Sequence, residues 1–295
     1  MASLSREERD YLYSPSKWSR RLPSDEVVTV HARKLTEATH RAQTKGHMRR
    51  ELNVKYAGPG SQTLDIYYPD GDIESSDVFI YIHGGYWQLF GTEHSGFMAL
   101  PFNSRGILVA VVGYDLAPKV TMTEIVEQCR QACVYLRLKF AKSRLLVCGH
   151  SAGAHLAACL LATDWSQYGL GVFPFSGAVL LSGIYDLTPI QQTYVNDPLQ
   201  LTKDEVMMFS PIKTVERLTT LPAHFSVLLA IGEQESPEFK RQMAEYGKEL
   251  QSLGLLCSFH ELMGEDHFSL TEQMESDDCA LNKLIFDMMD SSPKL

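Results

Sequence analysis

Apolar residues in this chain never run on for anything near the roughly 18 positions that a membrane-spanning helix needs. The opening M-A-S-L-S-R-E-E-R-D is charged where a secretory signal would be apolar. No C-x-x-C pair and no H-E-x-x-H spacing occurs, so neither a metal nor an organic cofactor is expected. Positive charge is also in short supply. Against 36 acidic residues stand 27 basic ones, a net charge of −9 that lacks the basic footprint of a general nucleic-acid binder. Internal repeats and low-complexity tracts are missing as well. These absences leave a soluble protein whose partner is a small molecule rather than nucleic acid or membrane. They point to a reducing compartment, the cytosol, with the nucleus also open. Oligomeric state is not written in the sequence, and a homodimer stays open.

The 295 residues, 44% of them hydrophobic, suffice for a large core without disulfides. The six cysteines at 129, 133, 148, 159, 257 and 279 are therefore read as free thiols, with Cys129 and Cys133 one helical turn apart. Residues 1–50 are rich in Ser, Arg, Lys, His and Glu, with weak helical periodicity around 25–45. They read as an N-terminal helical arm packed on a main domain of residues 51–295, with Trp18 as an anchor of that arm.

Strand-length apolar runs begin at 63–68 and 78–82, then recur at 107–114, 144–148, 178–182, 226–231 and 256–262. The central ones are continuously apolar, as strands buried on both faces must be. Helical stretches at 122–140, 152–163, 238–253 and 278–290 lie between or after them. In the first of these, Ile125, Cys129, Ala132, Val134 and Leu136 fall roughly on one face. Alternating strands and helices predict an α/β fold with a mostly parallel central sheet and helices on both faces. The first two strands, joined across P-D-G-D, are expected to be antiparallel neighbours. Residues 184–222 break the alternation with several prolines and read as a small cap or lid.

The chemistry starts at G-H-S-A-G, residues 149–153, between the strand R-L-L-V-C and the helix A-H-L-A-A-C-L-L-A. This is G-x-S-x-G in its strand–turn–helix setting, which lifts the hydroxyl of Ser151 clear of the sheet and aims a helix N-terminus at it. A serine needs a base, and ten histidines are available. His31, His40 and His47 lie in the polar arm, His224 in a loop beside proline and His260 within a strand. His94 and His155 sit in or near helices, and His150 flanks the serine but is expected to point away. His267, in M-G-E-D-H-F between the last strand and last helix, stands where the order Ser, acid, His puts the base.

The acid belongs after S-V-L-L-A-I, in G-E-Q-E-S-P at 232–237. Glu235 is the first choice and Glu233 the runner-up. Asp186, after the preceding strand, is a third candidate; Asp266 adjoins the histidine too closely in sequence to face it. The stretch H-G-G-Y-W-Q at 83–88 follows another apolar strand, and glycines there leave backbone N–H groups bare. Gly84 and Gly85, with Ala152 after the serine, form a candidate oxyanion hole. Tyr86 and Trp87 could wall a pocket or simply pack, and the residues leave that balance even.

Several motifs together resemble the kynurenine formamidase (arylformamidase) family, a branch of the α/β-hydrolase superfamily close to the hormone-sensitive-lipase-like esterases. They are H-G-G-Y-W-Q, Y-D-L-A-P at 114–118, G-H-S-A-G-A-H-L-A-A at 149–158 and S-G-I-Y-D-L at 182–187. N-D-P-L at 196–199, S-P-E-F at 236–239, D-H-F at 266–268 and Y-S-P-S-K-W at 13–18 extend the similarity along nearly the whole chain. The resemblance implies hydrolysis of N-formyl-L-kynurenine to L-kynurenine and formate, a step of tryptophan catabolism. It puts the nucleophile on Ser151, the base on His267 and the oxyanion hole on Gly84, Gly85 and Ala152. Substrate contacts are expected from His83, Tyr86 and Trp87. At position 235 the family normally has aspartate, so Glu235 is a departure; Ser-His-Glu triads occur in the superfamily. The alternative is a broad carboxylesterase acting on short-acyl or aryl esters, and after it a non-catalytic binding protein on the same scaffold.

Overall fold

The computed structural model describes residues 4–291 apart from His47, Pro59, Ser61, Asp72, Glu74, Ser75 and Ala223. Its strands are β1 (Arg50–Lys55), β2 (Thr63–Tyr67), β3 (Val78–Ile82), β4 (Leu108–Val112), β5 (Leu145–His150), β6 (Gly177–Leu181), β7 (Ser226–Gln234) and β8 (Leu256–Asp266). They make one sheet in the order β1-β2-β4-β3-β5-β6-β7-β8. Neighbours from β4 to β8 are all parallel, while β1 and β2 form an antiparallel margin. Every residue of β3, β4, β5 and β6 is buried, the condition that a continuously apolar strand satisfies only in the middle of a covered sheet.

The expected antiparallel pairing of the first two strands does not occur. β4 lies between them, antiparallel to β2 with Leu64 opposite Val112, and parallel to β3 with Val78 opposite Leu108. A strand with no exposed residue needs neighbours along both of its edges, so β3 is held by β4 and β5 rather than left in a terminal hairpin. Asp72, at the end of the P-D-G-D segment, lies outside the described residues. β1 was not foreseen, because R-E-L-N-V-K is half polar and runs along the sheet edge, where charge protects against further pairing. β8 runs four residues further than expected, to Asp266, with an irregularity opposite Gly232 and Gln234.

The helices are α1 (Arg6–Leu12), α2 (Val27–Thr44), α3 (Ala99–Ser104), α4 (Met122–Lys139) and α5 (Ala152–Leu161). The rest are α6 (Asn196–Leu199), α7 (Lys203–Phe209), α8 (Pro237–Ser252), α9 (Ser269–Glu272) and α10 (Ala280–Ser291). One face of the sheet is covered by α4, α5 and α8, the other by α2, α3 and α10. α4 begins at a capping box in which Thr121 and Glu124 each bond the other's backbone N–H. Its buried stripe is Ile125, Cys129, Ala132, Cys133 and Leu136, with Val134 turned partly outward. α2 buries Val27, His31, Leu35, Ala38 and Ala42, a helical stripe interrupted by one imidazole. Short helices fill 184–222 between β6 and β7. Among the described residues no helix is long and apolar enough to cross a membrane.

Candidate active site

At the C-terminal end of β5 the chain turns sharply into α5, and Ser151 at that turn has φ +56° and ψ −119°. A non-glycine residue there is strained, and the flanking glycines explain how the strain is held. A Cβ on Gly149 would lie 2.1 Å from the Gly153 carbonyl oxygen; one on Gly153 would lie 2.0 Å from that of Ile82. The elbow therefore closes only because both positions are bare. Ala152 is the first residue of α5, so its N–H has no partner within the helix and stays available beside Ser151.

The end of β3 supplies the facing wall. A Cβ on Gly84 would come within 2.8 Å of the His150 carbonyl oxygen and 3.2 Å of Ser151 Cβ. Gly85 has φ +96°, and its missing side chain would strike the Leu89 carbonyl oxygen at 2.4 Å. Tyr86, Trp87 and Phe90 continue with positive φ, an unusual run that keeps the loop turned tightly on itself. Gly85 and Tyr86 line the same pocket as Ser151, and the Tyr86 hydroxyl donates to the Tyr13 carbonyl at 2.7 Å. Trp87 lies elsewhere: it is fully buried, edge-on to His155 with ring centres 4.9 Å apart. His83 is also away from the pocket wall, stacked on Tyr114 at 4.2 Å with Nδ1 2.9 Å from the Gly84 carbonyl. Burial lowers its pKa to about 4. Both contacts belong to packing beneath the glycine loop.

His267 follows β8 directly and lines the pocket with Ser151. Its Nδ1 is 2.5 Å from Oε2 of Glu235, which sits just past β7 and is 4% exposed. The other oxygen, Oε1, accepts from the Ser236 N–H at 2.9 Å, so the carboxylate is fixed from two sides. Ser236 in turn caps α8, with Pro237 as the helix's first residue. Phe239 and Phe268 pack against the imidazole at 5.2 and 5.3 Å. Among the described residues Ser151 Oγ has no hydrogen-bond partner and is left facing the pocket. Glu233 instead accepts from the Gly264 N–H, and Asp186 caps Thr188 beside Lys213; neither approaches the histidine.

His150 does not point away. It lines the pocket, its ring is 4.7 Å from that of His267, and its Nε2 donates to the His267 carbonyl at 2.8 Å. Burial, then the charges of His267 and His31, hold its pKa well below the ordinary value, so it serves as a neutral brace. Asp266 has a different task. It accepts from the N–H groups of Phe268 and Ser269 and from Ser19 and Arg21 of the arm, the last at 2.8 Å from Nε. Burial works against its ionisation, but these donors and the Arg21 charge hold the carboxyl well below the usual range.

The N-terminal segment walls the pocket. Pro15, Ser16, Val28 and His31 line it, opposite Tyr194 and Val195 from the 184–222 segment. His31, read from sequence as part of a polar arm, is 2% exposed because it occupies the buried stripe of α2. That i, i+4 spacing with Val27 and Leu35 was the available signal. Leu89, Phe90 and Phe268 complete the apolar side.

The order of this sheet and the serine turn at the end of β5 are those of the α/β-hydrolase fold. Esterase B from Lactobacillus rhamnosis superposes with a TM-score of 0.69 over 90% of this chain and 95% of its own, at 18% identity, a likeness of fold alone. Residues 64–217 match the BD-FAE family model. At full length the chain is 40% identical to the kynurenine formamidase of Danio rerio and 41% identical to that of Salmo salar, covering 98% of each. It belongs to the kynurenine formamidase family.

Proposed function

We propose that this protein hydrolyses N-formyl-L-kynurenine to L-kynurenine and formate. The observation that carries the reading is the Glu235–His267 pair in the pocket that Ser151 also lines, in a chain that matches two kynurenine formamidases along almost its entire length. His267, held in the Nδ1–H tautomer by Glu235, takes the Ser151 proton at Nε2 as Oγ attacks the formyl carbon. The N–H groups of Ala152, Gly84 and Gly85 stabilise the oxyanion. The imidazolium gives its proton to the departing aryl amine, and water activated by the same histidine then releases formate from the formyl-serine. Glutamate at 235 is compatible with this scheme, because its carboxylate reaches the imidazole at 2.5 Å. Tyr86, Phe90 and Phe268 give the aryl group an apolar wall. The free, mostly buried cysteines suit a reducing compartment such as the cytosol.

Release of L-kynurenine from N-formyl-L-kynurenine, followed by absorbance for the wild type and Ser151→Ala, tests the reading. Turnover by the wild type that vanishes in the variant is expected. Cleavage of simple aryl esters with no turnover of the formamide would replace it with a carboxylesterase.

A further inference from the structure

His31 takes no part in the proton transfers above, yet it forms part of the pocket wall that Ser151 and His267 share. Its Nδ1 is 3.0 Å from Oε1 of Glu272, the last residue of α9. Glu272 is itself ionised: burial raises its pKa, but hydrogen bonds from His31, Arg21 and Lys34 bring it down to about 2. A carboxylate accepts only, so the Nδ1 proton is fixed on His31 and the Nε2 lone pair is left toward the pocket. Burial also disfavours the imidazolium. Among the described residues no donor reaches that Nε2, and no Asp, Glu, Lys or Arg side chain lines the pocket. The rings of Phe90 and Phe268 flank the imidazole at 5.8 and 5.2 Å and keep its surroundings apolar.

We infer that His31 is a specificity-determining residue that accepts a hydrogen bond from the α-ammonium of the substrate, with Phe90 and Phe268 shielding the contact from water. This rests on the formamidase reading, since that substrate carries an ammonium remote from the scissile bond. A lone pair backed by a carboxylate seeks a donor, whereas the substrate's carboxylate would be repelled. Arg21 and Lys34 face Glu272 rather than the pocket, balancing its charge and that of Asp266. The subsite therefore offers direction rather than net charge.

The test compares kcat/KM of wild type, His31→Leu and His31→Gln on three substrates. These are N-formyl-L-kynurenine, its analogue with hydrogen replacing the α-ammonium, and its analogue with the α-carboxylate converted to a primary amide. His31→Leu is expected to lose about 10- to 100-fold on the parent, mainly in KM, and on the amide analogue alike. Turnover of the deaminated analogue should stay unchanged, which also shows that the variant is folded. His31→Gln, which keeps an acceptor, should recover part of the loss. An equal loss on all three substrates would show a structural role, and a loss confined to substrates bearing the carboxylate would assign the contact to that group; either overturns the inference. Wild type inactive on the parent would instead remove the formamidase reading. Calorimetric binding of L-kynurenine and its deaminated analogue then still decides the subsite: preference for the amine in wild type and none in His31→Leu supports it, equal binding to wild type refutes it.

Discussion

At the scale of single residues, the site depends on distances that leave little slack. Shortening Glu235 to aspartate withdraws the carboxylate by about 1.5 Å from an imidazole it now meets at 2.5 Å. The backbone around 235 is set by β7 and the α8 cap, so it has no reason to follow. Glu235→Asp is therefore expected to lower kcat by about 100-fold, and Glu235→Gln by about 10,000-fold through the wrong tautomer. Steady-state kinetics of both variants check this, and an unchanged rate for Glu235→Gln would move the acid elsewhere. Gly85→Ala asks a different question. The new Cβ would have to displace the Leu89 carbonyl in a φ that L residues avoid, so stability should fall by about 1–3 kcal/mol. Rate should fall by about 100- to 1,000-fold as the N–H donors move. Denaturant unfolding beside kinetics separates the two effects.

At the scale of elements, the N-terminal segment is bound next to His267, the proposed base. Arg21, between α1 and α2, bridges Asp266 at the end of β8 and Glu272 at the end of α9. Asp266 and Glu272 are nearly inaccessible, so Arg21→Ala leaves two buried carboxylates short of their partner. A loss of about 3 kcal/mol is expected, at the low end for a buried pair because Arg21 itself is a quarter exposed. The sign with pH follows from the depressed carboxyl values. Their contribution is fully present above the unfolded pKa values of about 4 and fades as pH falls, for Glu272 through its folded value of about 2. Arg21→Ala should thus raise the midpoint of acid unfolding as well as lower stability at neutral pH, both measurable by circular dichroism. The exposed Arg6–Asp197 pair offers a control: solvent screens it, so Arg6→Ala should leave both stability and the acid midpoint unchanged.

At the scale of the whole molecule, two helical layers on one sheet supply the stability, and cross-links supply none. All six cysteines are free, five of them buried. The thermal midpoint should be the same with and without a reducing agent; a drop on reduction would reveal a disulfide. The strand–helix alternation was legible because strands covered on both sides must be apolar throughout, as β3 to β6 are. Strand order was not legible in the same way. Nothing local in 63–82 says that the later strand Leu108–Val112 will insert between the first two, since strand order is set by how the connections pack over the whole sheet.

The division between sequence and tertiary structure follows from the range of the forces involved. A sharp turn needs small residues beside it, so G-H-S-A-G and H-G-G marked Ser151 and the bare backbone of Gly84 and Gly85 from short stretches alone. Chain order after each strand pointed to the loops that carry Glu235 and His267, with Glu233 and Asp186 left as alternatives for the acid. What the folded chain decided are contacts between segments far apart in sequence. Trp87 went into the core against His155 while its neighbour Tyr86 stayed at the pocket. Asp266 turned to Arg21, His150 turned to brace His267, and His31 of the arm came to the pocket wall. Such partners are chosen by burial, because a polar group taken out of water bonds to whichever complementary group the packing brings within reach.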